Sequence, residues 1–175
     1  MDKPKIILLC GPPCSGKSTW IENNNVDNLP VLSTDIFIEN KAKELNATYS
    51  AVWEDSIRES VIKLGEDLIN HTKNKSSFIV DQTNINPKSR KKKLNLCKGY
   101  YKVAVYFEVP IEELLIRNTK RPGKVIPKFV IESMVNTYQR PTEEEGFDLI
   151  IDGTKESTVP SNSQNQLLYD ILLDI

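Results

Sequence analysis

The densest chemistry in this chain lies in one short stretch, Gly11-Pro-Pro-Cys-Ser-Gly-Lys-Ser18. Its spacing, Gly11-x4-Gly16-Lys17-Ser18, is the phosphate-loop pattern G-x-x-x-x-G-K-[ST]. The glycines let the backbone wrap so that its N–H groups converge on phosphate oxygens. A helix starting there turns its positive end to the anion. Lys17 is placed to bridge the β and γ phosphates, and the Ser18 hydroxyl is placed to ligate Mg²⁺. The stretch Gly11, Pro13, Cys14, Ser15, Gly16, Lys17, Ser18 and Thr19 is therefore read as a binding loop for a nucleoside triphosphate, ATP by default, with Mg²⁺ at Ser18. Cys14 has two readings. A thiol close to Lys17 and a helix N-terminus is a candidate redox switch, whereas a small residue tolerated in the loop is the plainer account.

A phosphate loop needs an acceptor and a means of stabilising the transferring group. Asp35 follows Val31-Leu32-Ser33-Thr34, near the end of a short apolar run. A carboxylate there can face the γ-phosphate and take a hydroxyl proton; the competing role is the N-cap of the helix that follows. Asp81, after Phe78-Ile79-Val80, is either a second carboxylate beside the metal or a turn residue fixing Thr83 and Asn84. Arg117-Asn118-Thr119-Lys120-Arg121 with Pro122-Gly123-Lys124 reads as a basic lid over about 117–127, whose arginines would stabilise transition-state charge. The bland alternative is a solvated helix end favoured by the dipole. The run Lys88-Ser89-Arg90-Lys91-Lys92-Lys93 is read as a solvated helix face in preference to a nucleic-acid patch. His71, the single histidine, sits in a polar stretch and reads as part of a helix end, which weakens any Ser-His-Asp scheme.

These residues must be held by something. Lys5–Cys10 is a continuous apolar run, as a strand buried on both faces requires. Further strands are expected at Pro30–Ser33, Phe78–Val80, Lys102–Phe107 and Leu149–Ile151. Helices are expected from the phosphate loop to about Asn25, at Ser50–Asn70, Pro87–Cys97, Ile111 to about Lys120, Pro127–Tyr138, and Leu167–Ile175. In the long one, Val52, Ile57, Val61, Leu64, Leu68 and Ile69 form the expected buried face. Thr142-x-x-Glu145 has capping-box spacing, and the polar stretch after Gly153 reads as a surface excursion. Alternating strands and helices imply a parallel sheet covered on both faces, with ligands at the strand C-termini. Gly11–Ser18, Asp35 and Asp81–Asn84 all fall at such ends.

The composition is that of a soluble globular chain. Its 175 residues are one domain's worth, 39% hydrophobic and 27% charged. A chain of this size buries roughly 70% of its unfolded surface and needs no disulfide or metal to fold. With 23 basic and 24 acidic side chains the net charge is −1, which excludes binding nucleic acid through bulk charge. Cys10, Cys14 and Cys97 are odd in number and form no C-x-x-C pair, so they fit a reducing, cytoplasmic setting. Ile6–Cys10 is too short for a membrane span.

From Lys5 to about Asp152 the sequence resembles the P-loop 5′-hydroxyl polynucleotide kinases. The resemblance rests on Gly11-x-Pro13-x-Ser15-Gly16-Lys17-Ser18-Thr19-Trp20, Asp81-x-Thr83-Asn84 with Pro87 and Arg90, Arg117-Asn118-x-x-Arg121, and Pro141-Thr142-x-x-x-Gly146-Phe147. It implies that Asp35 is the general base, that Arg117 and Arg121 clamp the transferring phosphoryl group, and that Thr83, Asn84 and Arg90 belong to the substrate side. The family carries an arginine three residues after the base, which holds the acceptor's phosphate; here that residue is Ile38. Lys41 and Lys43 are the candidate substitutes, and an arginine introduced at position 38 would be expected to tighten the acceptor.

The expected fold is a single α/β domain over residues 1–175, a P-loop kinase three-layer sandwich with a five-stranded parallel sheet and a basic lid. The expected activity is ATP-dependent transfer of the γ-phosphate to a hydroxyl, foremost the 5′-OH of RNA or DNA. Lys17, Asp35, Arg117 and Arg121 would be catalytic and a nucleic-acid 5′ end the partner. Two other readings stand beside it: a kinase of a small-molecule hydroxyl or of an aminoacyl-tRNA, and a nucleotide-dependent RNA-binding module without catalysis.

Overall fold

A computed structural model describes residues 3–25 and 28–155. The helix expected at Leu167–Ile175 and most of the polar stretch after Gly153 lie outside the described residues. Five parallel strands form one sheet in the order β2-β3-β1-β4-β5. They are β1 (Lys5–Cys10), β2 (Val31–Leu32), β3 (Phe78–Asp81), β4 (Tyr101–Tyr106) and β5 (Leu149–Asp152). Every residue of β1 is buried, because it lies in the middle of the sheet with β3 and β4 on its two sides. The register sets Leu9 beside Asp81 and Cys10 beside Tyr106. The C-terminal ends of the three central strands thus lie along one edge.

The helices are α1 (Lys17–Asn24), α2 (Thr34–Glu44), α3 (Tyr49–Lys73), α4 (Pro87–Leu96), α5 (Ile111–Thr119) and α6 (Lys128–Thr137). Alternate side chains of β1 feed two cores. Ile6, Leu8 and Cys10 pack with Leu68 of α3 and Leu94 of α4, whereas Ile7 and Leu9 pack with Trp20 of α1. That alternation is the period of a strand and makes the molecule three-layered. Local chemistry starts three of the helices: the side chains of Ser33, Thr48 and Asn86 accept hydrogen bonds from the first turns of α2, α3 and α4. The capping box forms as its spacing predicts, around a 3₁₀ turn at Glu143–Glu145, and His71 lies in the last turn of α3.

Two expectations are corrected. The buried positions of α3 are Val52, Ser56, Ser60 and Leu68, while Val61 and Ile69 are exposed. The 25-residue helix packs on two partners in succession, α2 with its first half and the sheet with its second. A single apolar stripe drawn along it therefore misses the seam that the small serines allow. The second correction is Ile38. It is fully buried against Ala42 and Val52 in the seam between α2 and α3, with Phe37, Tyr49 and Ile57 around it. This position belongs to the packing of the helices, so an arginine there would meet apolar side chains.

Candidate active site

The phosphate loop joins β1 to α1, and close contacts hold its shape. A Cβ on Gly11 would stand 2.9 Å from both the Phe107 Cβ and the Ser15 Oγ, so only glycine fits. The Gly11 N–H donates to the Thr83 carbonyl (2.9 Å), tying the loop to the end of β3. Gly16 caps α1 with a φ of 102° and offers no side chain to the first turn. The first N–H groups of a helix have no partner inside the helix, so here they are left for an anion. The Ser15 hydroxyl is buried with no hydrogen-bond partner. The Lys17 ammonium folds back on the Gly11 and Pro12 carbonyls (3.0 and 2.9 Å). Burial lowers the Lys17 pKa while Asp81 and Asp35 pull it back up. An orphaned hydroxyl, open helix amides and an ammonium on one loop fit a polyphosphate. Ser18 is exposed at the mouth of the loop, where a phosphate-bound Mg²⁺ could use its hydroxyl.

Asp35 is the second residue of α2, and the N-cap is Ser33. The capping role is thus filled, and the Asp35 carboxylate faces the cleft with half of its side chain exposed. Its Oδ1 accepts a hydrogen bond from the Tyr49 hydroxyl (2.7 Å) and its Oδ2 pairs with the Lys124 ammonium (3.0 Å). Burial alone would raise its pKa, but Lys124, the Tyr49 hydroxyl and Arg121 outweigh burial and hold it below the ordinary value. Asp81 lines the same cleft; burial raises its pKa against the pull of Lys17.

The lid arginines reach the loop from the last turn of α5 (Arg117) and from just beyond its end (Arg121). Arg117 donates to the Cys14 carbonyl (3.1 Å) and also pairs with Glu113, one turn earlier. Arg121 contacts the Cys14 Sγ at 3.6 Å. Cys14 itself has a φ of 65°, a left-handed backbone, so it is the point where loop and lid meet. Asn118 is buried and closes the root of the lid: its amide donates to the Ile126 carbonyl (2.7 Å) and its Oδ1 accepts the Ile126 N–H (3.0 Å).

Most of the third-strand motif is scaffold. Arg90 is fully buried, forks onto both Glu145 oxygens at 2.7 Å, and donates to the Asn84 and Gln139 carbonyls. A guanidinium consumed in this way cannot meet a substrate, which corrects its expected substrate role. Asn84 is buried at the wall of the cleft; its amide donates to the Leu9 carbonyl (2.8 Å) and its Oδ1 accepts from Lys93 (2.8 Å). Its side chain thus staples β1 to the turn after β3; of the expected substrate set, Asp35, Thr83 and Asn84 line the cleft and Arg90 does not. Lys41 turns outward to pair with Glu59, and Lys43 is exposed, so neither replaces the missing arginine. On α4, Lys88, Lys91 and Lys92 are solvated as expected, but Arg90 and Lys93 turn inward.

One cleft of about 1780 Å³ joins these groups, well above the roughly 300–1,000 Å³ of a pocket for one small ligand. Its charged lining is Lys17, Lys93, Arg117, Arg121, Lys124 and Lys155 against Asp35, Glu54 and Asp81. Trp53 of α3 and Phe129 of α6 expose their rings to it (42% and 70%). The sequence reading missed Tyr49, Trp53, Phe129 and the particular position of Lys124; none sits in a local pattern, though Lys124 follows the basic run. It also missed Gly153, where a Cβ would lie 2.5 Å from the Phe107 ring at the edge of the cleft.

Comparison with known proteins gives the same picture. A family model described as an AAA domain matches residues 6–141. The chain is 32% identical over 178 residues to the L-seryl-tRNA(Sec) kinase of Methanococcus maripaludis, covering 95% of this chain and 64% of that protein's length. It is 31% identical over 123 residues to the shikimate kinase of Clostridium botulinum, covering 69% of each. Among solved structures, a chain of the Pnkp1/Rnl/Hen1 RNA repair complex is 26% identical with a TM-score of 0.61, over 93% of this chain and 53% of that one. Among the described residues no helix is long and apolar enough to cross a membrane.

Proposed function

The chain belongs to the AAA domain family of P-loop proteins, and from that premise we propose that it is an ATP-dependent kinase that phosphorylates a hydroxyl, foremost the 5′-OH of a polynucleotide. The observation that carries this reading is the Asp35 carboxylate standing in one cleft with Lys17 and the two lid arginines. ATP would lie along the loop, its β and γ phosphates on Lys17 and the first amides of α1, with Ser18 as the Mg²⁺ ligand; the metal supplies charge neutralisation at the phosphates. Asp35 accepts or orients the proton of the incoming hydroxyl, and Arg117 and Arg121 swing from Cys14 onto the transferring phosphoryl group. The reaction needs no covalent enzyme intermediate.

A polynucleotide end suits the acceptor half. The cleft is larger than ATP alone requires, its charged lining residues are mostly cationic, and Trp53 and Phe129 offer faces on which bases can stack. The similarity to a chain of an RNA repair complex points the same way. The second reading is the hydroxyl of an aminoacyl-tRNA, favoured by the similarity to a seryl-tRNA kinase along 95% of this chain and by the burial of Ile38. Transfer of labelled γ-phosphate to a 5′-OH oligonucleotide, seryl-tRNA and free adenosine, run in parallel, separates the two. Asp35→Asn should lower transfer to the true acceptor by roughly 10²–10⁴-fold while ATP affinity stays within a few fold. Loss of ATP binding with normal chemistry would make Asp35 a metal or structural residue.

A further inference from the structure

The side chain with the least explained position is Lys124. It rises from the lid next to Gly123, whose φ is 69°, and reaches Asp35 and Glu39 of α2. Its ammonium lies between Asp35 Oδ2 (3.0 Å) and Glu39 Oε1 (2.6 Å), 4.2 Å above the Tyr49 ring, and its side chain is only 15% exposed. The lid is pinned in this place from below: Ser50 donates to the Gly123 carbonyl through its N–H (3.3 Å) and its hydroxyl (3.0 Å). Lys124 therefore sits on the acceptor side of Asp35 by design of the backbone and not as a loose surface pair.

Two consequences follow from charge. The ammonium offsets one of the two carboxylate charges; without it Asp35 and Glu39 would meet an anionic acceptor with both negative charges uncompensated. Both Asp35 oxygens also carry a donor already, Tyr49 on one and Lys124 on the other. A hydroxyl that is to give its proton to Asp35 gains the freer oxygen when Lys124 moves to another anion. Arg121 also acts on Asp35 but contacts the Cys14 Sγ, and the other cations near this side are, among the described residues, committed or absent. Ile38 is apolar and buried, Lys41 pairs with Glu59, and Lys93 is held by Asn84 and Ser89.

We propose that Lys124 is the acceptor-selecting residue of this enzyme: it closes Asp35 and Glu39 in a mask that an acceptor opens by offering an anionic group, a phosphate next to the reactive hydroxyl, to the ammonium. The proposal rests on the kinase reading above and deepens it. The lid thus serves both partners, with Arg117 and Arg121 over the nucleotide and Lys124 over the acceptor. It places the acceptor's phosphate beside Tyr49 and the start of α3. Opening the mask exchanges the contact of the ammonium with Asp35 for one with the acceptor's phosphate.

The test is equilibrium binding, so it does not depend on turnover. Adenosine 3′-monophosphate and adenosine are titrated by calorimetry into the full chain and into Lys124→Met and Lys124→Arg. The parent chain should bind the monophosphate more tightly than adenosine. Lys124→Met should weaken the monophosphate by about 10- to 100-fold, the worth of one charge-assisted contact, and change adenosine by less than about 3-fold. Lys124→Arg should keep most of the preference. Equal weakening of both ligands would make Lys124 a structural strut of the lid. No change in either, or no preference for the monophosphate in the parent chain, also overturns the proposal. The kinase reading fails separately, if labelled γ-phosphate reaches none of the three acceptors tested above.

Discussion

The two halves of the cleft are built by opposite means. The nucleotide half is mostly backbone: a loop closed by Gly11 against Phe107, an uncapped helix start, and the tie from Gly11 to Thr83. Behind it stands a buried lattice in which Asn84 holds the Leu9 carbonyl, Arg90 holds Asn84, and Glu145 holds Arg90. The half proposed for the acceptor is mostly side chains. Asp35, Tyr49 and Lys124 come from α2, α3 and the lid, and their contacts with one another and with Glu39, together with the tie from Ser50 to the Gly123 carbonyl, define the site. Backbone amides cannot be mutated away and are fixed by packing, which suits a ligand whose phosphates never change. Side chains on separate elements can be exchanged singly, which suits the half proposed to choose the acceptor.

The sharpest break of this comparison is Lys17→Ala. It should cut turnover by on the order of 10³-fold or more, through loss of phosphate charge stabilisation, and weaken ATP. Adenosine 3′-monophosphate binding should be unchanged, because the acceptor half is untouched. Unchanged turnover would remove the loop from the chemistry.

Ile38→Arg is the next in size. If position 38 served the acceptor, the change would lower the KM for an oligonucleotide. Because Ile38 is fully buried in the α2–α3 seam, the expected result is instead a loss of about 3–5 kcal/mol of stability, the cost of an unpaired buried charge. Urea unfolding reads it directly. A tighter acceptor with stability intact would return position 38 to the cleft.

Tyr49→Phe is the smallest and the most specific. The hydroxyl donates to Asp35 and helps hold its pKa low. Removing that donor removes a stabiliser of the ionised carboxylate, so the Asp35 pKa must rise. The acid limb of the kcat/KM profile should move up by about one pH unit, with kcat near neutrality reduced about 10-fold at most and ATP affinity unchanged. An unmoved limb would mean that Asp35 is not the titrating base.

What could be read from the chain alone follows the same division. The phosphate loop, the strand before it and the capping box at Thr142 and Glu145 are local, set by residues a few positions apart whose backbone preferences act before any tertiary contact forms. The lid arginines were legible for the same reason: they lie in one run at a helix end. Position 38 was misread because spacing was taken for direction. At 100° per residue, residue 38 stands 60° from Asp35 on one flank of α2 and residue 39 stands 40° away on the other. Only the arrival of α3 decided which flank is core and which is cleft, and it buried Ile38 and left Glu39 beside Lys124. Arg90 was misread because a cation carries no sign in sequence of the carboxylate waiting 55 residues later. The sequence by itself determined that a nucleoside triphosphate has a place here, because that site is one continuous piece of chain. The proposed acceptor site joins Asp35 to Tyr49 across 14 residues and Glu39 to Lys124 across 85, and such contacts exist only once packing has brought α2, α3 and the lid together.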